Sequence, residues 1–231
     1  MQAKFNTFHT IMGKKGYGKS SLCDILLILN NRPALILDTT NGFPPLGKNR
    51  LFFDDMEELN LYLQLHYKEF ISKKQQLILQ TRDPEQFEEL CITAYKCSKI
   101  SLFIDEVDFY CGASLSKKSA FYDIIHTGRH QEIDLYTASR RPANISRDLT
   151  SQTDIFYLTM TTENRDFDYI KQAFGEDVSD KIKTIKPFHF LVIDKTKTNA
   201  DGSNPINLLI TKKEQLESIY RLNLKKESKN D

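Results

Sequence analysis

Short apolar runs alternate along this chain with longer amphipathic stretches. The runs, rich in Ile, Leu, Phe and Thr, fall at Thr7–Met12, Ala34–Asp38, Leu51–Phe53, Gln76–Gln80, Leu102–Asp105, Asp134–Ala138 and Ile155–Met160, and each is read as a strand. Between them, Leu59, Tyr62, Leu63, Phe70 and Ile71 recur close to one helical face within Met56–Ser72. Pro84 followed by Phe87, Leu90, Cys91 and Ala94 predicts a helix with proline in its first turn. Helices are also predicted at Ser20–Leu29, Ala120–His130, Glu163–Phe174 and Glu214–Leu222. Strands alternating with helices point to an α/β domain, a mainly parallel central sheet flanked by helices. Two final runs, Phe188–Asp194 and Ile206–Thr211, flank the turn-rich segment Asn199–Pro205, which predicts a C-terminal antiparallel hairpin at the sheet edge.

Composition narrows the class. A length of 231 residues suits one domain, expected over 1–223, with a polar tail at 224–231. A chain of that size buries roughly 70–75% of its unfolded surface, so its core needs no disulfide or metal staple. Lys and Arg number 32 against 31 Asp and Glu, for a net charge of +1. Any nucleic-acid contact therefore has to come from a local basic patch, not from an overall field. Cys23, Cys91, Cys97 and Cys111 form no CxxC pair and have no His at zinc-finger spacing, so they are expected to be reduced and mostly buried. No run approaches the roughly 18 apolar residues of a membrane span. No signal-peptide pattern precedes Thr7.

The segment Gly13, Lys14, Lys15, Gly16, Tyr17, Gly18, Lys19, Ser20 matches GxxxxGK[ST], the phosphate-binding P-loop, and it stands between a predicted strand and a predicted helix. That context is what the physics requires: glycines let backbone N–H groups converge on phosphates, and the helix N-terminus beginning at Ser21 adds a favourable dipole. Lys19 is then expected to reach the β and γ phosphates of ATP, and the Ser20 hydroxyl to ligate Mg²⁺. Ile100–Glu106 is an apolar strand ending in two acids, the form of a Walker B segment. Strand carboxyl ends face the ligand crevice in a parallel sheet, so Asp105 is expected in the Mg²⁺ shell and Glu106 as the base that polarises water.

A third constellation follows: Thr127, Gly128, Arg129 and His130 before the strand Ile133–Thr137, then Ser139, Arg140, Arg141 and Pro142, then Asp148, Leu149 and the run Asp154–Met160. This order, an arginine before a strand ending in a T-Q-R-P-like sequence, resembles the FtsK/HerA superfamily of ring-forming DNA-translocating ATPases. Within it, Thr162–Lys171 (TENRDFDYIK) and Lys181–Asp194 (KIKTIKPFHFLVID) look like the genome-packaging ATPases of tailless icosahedral viruses with internal membranes. The resemblance spans nearly the whole chain. It implies a RecA-like fold, a homo-oligomeric ring with a hexamer favoured, and double-stranded DNA as partner without sequence preference. It also implies a capsid or viral membrane protein at a packaging vertex, and a host-cytoplasmic or virion-associated location. By the same resemblance Arg129 takes the arginine-finger position, acting on a neighbouring subunit's nucleotide; read from its own position alone, it is an Arg favouring the negative pole at a helix end. The family places a Gln sensor two residues before the proline. Arg140 stands there instead, which leaves Arg140 or Ser139 to contact the γ-phosphate.

Lys117 and Lys118, in the loop Cys111–Ser119, are candidates for phosphate contacts with DNA, against the alternative of a solvated loop. Gly47, Lys48, Asn49 and Arg50 form a second basic candidate. Rival readings share the P-loop. A cellular HerA-like translocase often carries an N-terminal barrel domain, and a filamentous-phage assembly ATPase of the zonula-occludens-toxin type commonly carries a membrane span. A P-loop kinase would want an Arg-rich lid, and a GTPase an NKxD sequence, which does not occur.

Overall fold

The central apolar runs become strands because their side chains find cover on both sides. β2 (Ala34–Leu37), β4 (Gln76–Leu79), β5 (Ser101–Ile104) and β6 (Asp134–Ser139) are buried at every position, as strands in the middle of a helix-covered parallel sheet must be. With β1 (Phe8–Met12), β3 (Arg50–Phe53), β7 (Ile155–Leu158), β8 (His189–Asp194) and β9 (Ile206–Ile210) they form a nine-stranded sheet in the order β3-β4-β2-β5-β6-β1-β7-β8-β9. The computed structural model describes residues 6–45, 49–112, 114–200 and 202–211. The predicted helix Glu214–Leu222, the tail, and Gly47 and Lys48 lie outside them.

β1 through β7 pair in parallel, while β8 runs antiparallel to β7 and β9 antiparallel to β8. β1 sits inside the sheet, with β6 on one flank and β7 on the other. Strand side chains alternate between faces, and two cores result. On one face Phe8, Met12, Leu37, Leu79, Ile104 and Leu158 pack under α2 (Met56–Ser72), α3 (Pro84–Cys97), α5 (Ala120–Thr127), α7 (Asn164–Phe174) and α8 (Glu176–Lys183). On the other, Ile11, Ile36, Phe103, Tyr136 and Phe190 pack against Leu22, Cys23 and Leu27 of α1 (Lys19–Asn30).

Four of the eight described α-helices start on a side-chain cap. Asp55 accepts from Glu58 N (2.9 Å), Asp83 from Glu85 N (2.9 Å) with Pro84 in the first turn, and Ser119 from Tyr122 N (3.2 Å), each cap contributing about 1 kcal/mol. Two short helices, α4 (Val107–Tyr110) and α6 (Arg147–Gln152), and α8 itself were not predicted. The helix expected to run to His130 ends at Thr127, and Gly128–Gln131 tightens into a 3₁₀ turn that closes with Glu132 in the left-handed conformation, φ 54°, before entering β6.

Arg50 does not belong to a basic surface. It is 4% exposed, with Nη2 2.5 Å from Asp24 Oδ1 and from Gln76 Oε1, and Nη1 2.7 Å from the Pro44 carbonyl. These bonds join α1 to the β3 and β4 edge. The expectation that Arg50 helps meet DNA is corrected by this burial: a desolvated, fully bonded guanidinium has nothing to offer a phosphate.

Candidate active site

The segment after β1 is tied down at its first residues and left open at its last. Gly13 N donates to the Ser139 carbonyl (3.1 Å) and Lys14 N to the Met160 carbonyl (2.6 Å), so the carboxyl ends of the two strands beside β1 hold the loop. Gly13 has φ 138°, and a Cβ there would lie 2.5 Å from Thr159 Cγ2 and 2.8 Å from two carbonyl oxygens. Gly18, with φ 88°, is the residue that starts α1, and the helix has neither a side-chain cap nor an acid in its first turn. Among the described residues no backbone carbonyl takes the amides of Gly16, Gly18, Lys19 or Ser20. A helix start stripped of its own acceptor and rich in open amides is an anion site.

Lys19 is 8% exposed, and its Nζ donates to the carbonyls of Gly13 (2.7 Å) and Lys14 (3.1 Å). Burial lowers its pKa from 10.5 to about 8, with Asp105 working against the shift and Arg140 adding to it. The parallel pairing of β5, β6 and β1 brings Asp105, Arg140 and the loop that leads to Lys19 to one edge of the sheet. Asp105, directly after β5, is 5% exposed; burial raises its pKa, while hydrogen bonds from Thr40 Oγ1 (3.0 Å) and Glu106 N (3.0 Å) oppose this. Asp105 and the half-buried hydroxyl of Ser20 are hard oxygen donors at the same edge, a set that suits Mg²⁺.

Glu106 occupies a left-handed conformation, φ 47° and ψ 46°, a strained setting for a residue with a side chain. Its carboxylate is paired with Arg140 Nη2, and Arg82 Nη2 lies 3.5 Å from the other oxygen. Arg82, whose Nε donates to the Thr39 carbonyl (3.0 Å), is a residue sequence reasoning passed over. The available signal was its place: Thr81 and Arg82 follow a buried parallel strand, at the edge where ligand chemistry sits. The two sensor candidates differ in what they have free. Ser139 is fully buried, its hydroxyl accepts from Arg141 N (3.0 Å) and its carbonyl from Gly13 N, whereas Arg140 extends its guanidinium to Glu106.

Arg129 lies at the opposite edge of the sheet, before β6. Its Nη2 meets Asp154 Oδ2 (2.7 Å) and the Gln152 carbonyl (2.9 Å), and its Cζ stands 4.9 Å from the Phe8 ring centroid. Asp154 precedes β7 and Phe8 opens β1, so all its partners mark the amino ends of strands. Arg129 cannot serve the P-loop of its own chain. Lys117 and Lys118 are exposed between α4 and α5 and form no ion pair among the described residues. Cys23, Cys91 and Cys111 are buried free thiols and Cys97 is half-buried. No group of three or more His, Cys, Asp or Glu side chains placed to hold a metal ion occurs among the described residues, and none of their helices is long and apolar enough to cross a membrane.

No protein-family model and no curated protein matches the chain. Solved structures do. The genome packaging NTPase B204 of Sulfolobus turreted icosahedral virus 2, in complex with AMPPCP, aligns over 90% of this chain and 99% of its own, with TM-score 0.68 and 19% identity. B204, the DNA-packaging ATPase from Sulfolobus turreted icosahedral virus, aligns over 89% and 98%, with TM-score 0.64 and 21% identity. VirB4 of Thermoanaerobacter pseudethanolicus aligns over 92% and 91%, with TM-score 0.60 and 10% identity. The chain therefore shares the fold of these packaging ATPases and of VirB4. Gly13–Ser21, Arg140, and Asp105 with Glu106 follow the carboxyl ends of β1, β6 and β5, which are consecutive in the sheet.

Proposed function

We propose that the protein is an ATP-driven motor for double-stranded DNA, working as a homo-oligomeric ring, a hexamer in the favoured form, that moves a viral genome into its capsid. One observation carries the reading: the consecutive parallel strands β5, β6 and β1 bring Asp105, Glu106, Arg140 and Lys19 to one edge of the sheet, beside the open helix start at Gly18. The fold supports it, since the neighbours that align along nearly their full length are a genome packaging NTPase and a DNA-packaging ATPase.

The triphosphate takes the open amides of Gly16 to Ser21, and Lys19 exchanges the Gly13 and Lys14 carbonyls for phosphate oxygens. Ser20 and Asp105 would hold Mg²⁺, which would supply charge neutralisation for the triphosphate. Arg140 transfers its charge from Glu106 to the γ-phosphate, which leaves the Glu106 carboxylate with an open lone pair to accept the proton of the attacking water. The water oxygen bonds to phosphorus as the bond to the bridging oxygen breaks, giving ADP and phosphate. Arg129 of an adjacent chain adds positive charge in the transition state, a contribution on the order of 10³–10⁵ in rate for such fingers. Lys117 and Lys118 meet the duplex through phosphates alone. A capsid or viral membrane protein at a packaging vertex holds the ring, in the host cytoplasm or on the virion.

ATP turnover by the purified chain, with and without linear duplexes of unrelated sequence, tests the proposal. Stimulation of similar size by every duplex is expected. Turnover indifferent to DNA would leave an ATPase without a translocation role, and no turnover under any condition would remove hydrolysis itself.

A further inference from the structure

The final strand pair presses a strained aromatic residue against the phosphate loop. Phe188 immediately precedes β8, and because β8 runs antiparallel to β7 it begins at the edge that carries the P-loop. Its φ of 62° is left-handed, a conformation that a residue with a bulky side chain keeps only where its contacts over-determine it. Those contacts are present. Phe188 N donates to the Tyr17 carbonyl (3.2 Å), and its own carbonyl accepts from the amide (2.8 Å) and the hydroxyl (3.2 Å) of Thr211. The result sets the ring on Gly18, where an added Cβ would stand 2.5 Å from Phe188 Cδ1. Phe188 is nevertheless half-buried, as is Tyr17 beside it, while Phe190 is wholly buried in the core. Core packing does not explain an aromatic side chain held by strain at the rim of a ligand loop.

We propose that Phe188 is the stacking platform for the base of the nucleotide whose phosphates sit on Gly16–Ser21, an inference that rests on the nucleotide site proposed above. Gly18 adjoins the amides that receive phosphate, so a nucleotide held there extends its sugar and base along the rim that Phe188 covers. Two of the polar atoms nearby are engaged: the Tyr17 hydroxyl donates to Met160 Sδ (2.9 Å), and His189 Nδ1 lies 2.9 Å from the Pro187 carbonyl oxygen. Recognition by a π-face rather than by hydrogen bonds to base edges accepts any purine.

Calorimetric titration of the full chain with Mg²⁺–ATPγS, Mg²⁺–GTPγS and Mg²⁺–tripolyphosphate tests this. Phe188→Ala is expected to weaken both nucleotides about tenfold, the order of a single base–aromatic stack, and to leave tripolyphosphate affinity unchanged. Phe188→Tyr should bind as the wild type does. Phe188→Leu keeps apolar bulk over Gly18 and serves where the alanine variant does not fold; it should still lose nucleotide affinity. Equal loss of tripolyphosphate in Phe188→Leu would make the residue a brace for the loop and overturn the platform. Unchanged nucleotide affinity would overturn it too, as would a wild-type preference between the two purines above about a hundredfold, which demands edge recognition. Failure of the underlying site looks different: the wild type then binds none of the three ligands, and Lys19→Ala changes nothing.

Discussion

Lys19 is held in the folded chain against its own solvation, and that makes a stability measurement a probe of function. Its pKa is about 8 in the fold against 10.5 in the ordinary state, chiefly because the ammonium is buried. Between those values the unfolded chain binds more protons than the folded one, so stability rises with pH across the window. The penalty is fully present below pH 8 and gone above pH 10.5. At about 1.4 kcal/mol per unit it amounts to roughly 3 kcal/mol at pH 7. Lys19→Met removes the charge and keeps an unbranched apolar stem, but leaves the Gly13 and Lys14 carbonyls without their donor, at about 1 kcal/mol each. The variant should therefore be more stable than wild type by about 1 kcal/mol at pH 7. By pH 10 the wild type should have gained roughly 2 kcal/mol on it, reversing the order.

Denaturant unfolding of both proteins at pH 7 and pH 10 reads this directly, because every other titrating group is common to the pair and cancels in the difference. Mg²⁺–nucleotide should then stabilise the wild type and not the variant, since its phosphates replace the carbonyls around the ammonium. A difference in stability that stays constant from pH 7 to pH 10 would refute the reasoning, because it would mean that Lys19 titrates alike in both states.

Other outcomes follow from the same geometry. Glu106→Gln should retain nucleotide binding and lose turnover, since an amide cannot accept the water's proton; loss of binding in equilibrium titration would make Glu106 structural. Gly18→Ala should weaken tripolyphosphate binding and lower stability by about 1–3 kcal/mol in denaturant unfolding, because φ 88° and the Phe188 ring both reject a Cβ. Removing charge at Lys117 and Lys118 together should reduce affinity equally for unrelated duplexes and flatten its dependence on salt; an unchanged salt slope would move the DNA surface elsewhere. Arg129→Ala should bind ATP and hydrolyse it slowly, and mixing it with Glu106→Gln subunits should restore turnover at interfaces that pair an intact Glu106 with an intact Arg129. Full activity in Arg129→Ala would remove the finger.

Much of this was legible in the chain because the relevant signals are local. The seven parallel runs, the closing hairpin and the loop Gly13–Ser20 are short contiguous patterns, and each fell where it was read. What escaped depended on partners far along the chain. Arg50 looks like a surface cation beside Asn49, and only the fold brings Asp24 and Gln76 to it. Arg82 carries no motif, and its pairing with Glu106 follows from β4 and β5 flanking β2. α8 buries only Val178, Ser179 and Ile182, too few positions to establish a helical period. The order of strands was also beyond the pattern of hydrophobic runs, since β1 and β2, consecutive in sequence, are separated in the sheet by β6 and β5.

The placement of Arg129 makes the difference between a solitary ATPase and a ring a question of magnitudes. One chain presents Lys19 and Glu106 at the carboxyl edge of its sheet and Arg129 at the amino edge, so the two halves of the proposed catalytic set meet only across an interface between chains. In the single chain Arg129 is not idle: it pairs with Asp154 and the Gln152 carbonyl, with about a third of its side chain exposed. A half-buried pair of this kind contributes about 1 kcal/mol after solvent screening, and the carbonyl bond and the Phe8 ring each about as much. A finger that accelerates hydrolysis 10³- to 10⁵-fold stabilises the transition state by about 4–7 kcal/mol. The second quantity exceeds the first, so the contact with Asp154 is weak enough to exchange when a neighbour's triphosphate approaches and strong enough to hold the guanidinium in place until then. A chain on its own keeps Arg129 on Asp154, which is why basal turnover in the proposed motor should rise with assembly and not merely with protein concentration.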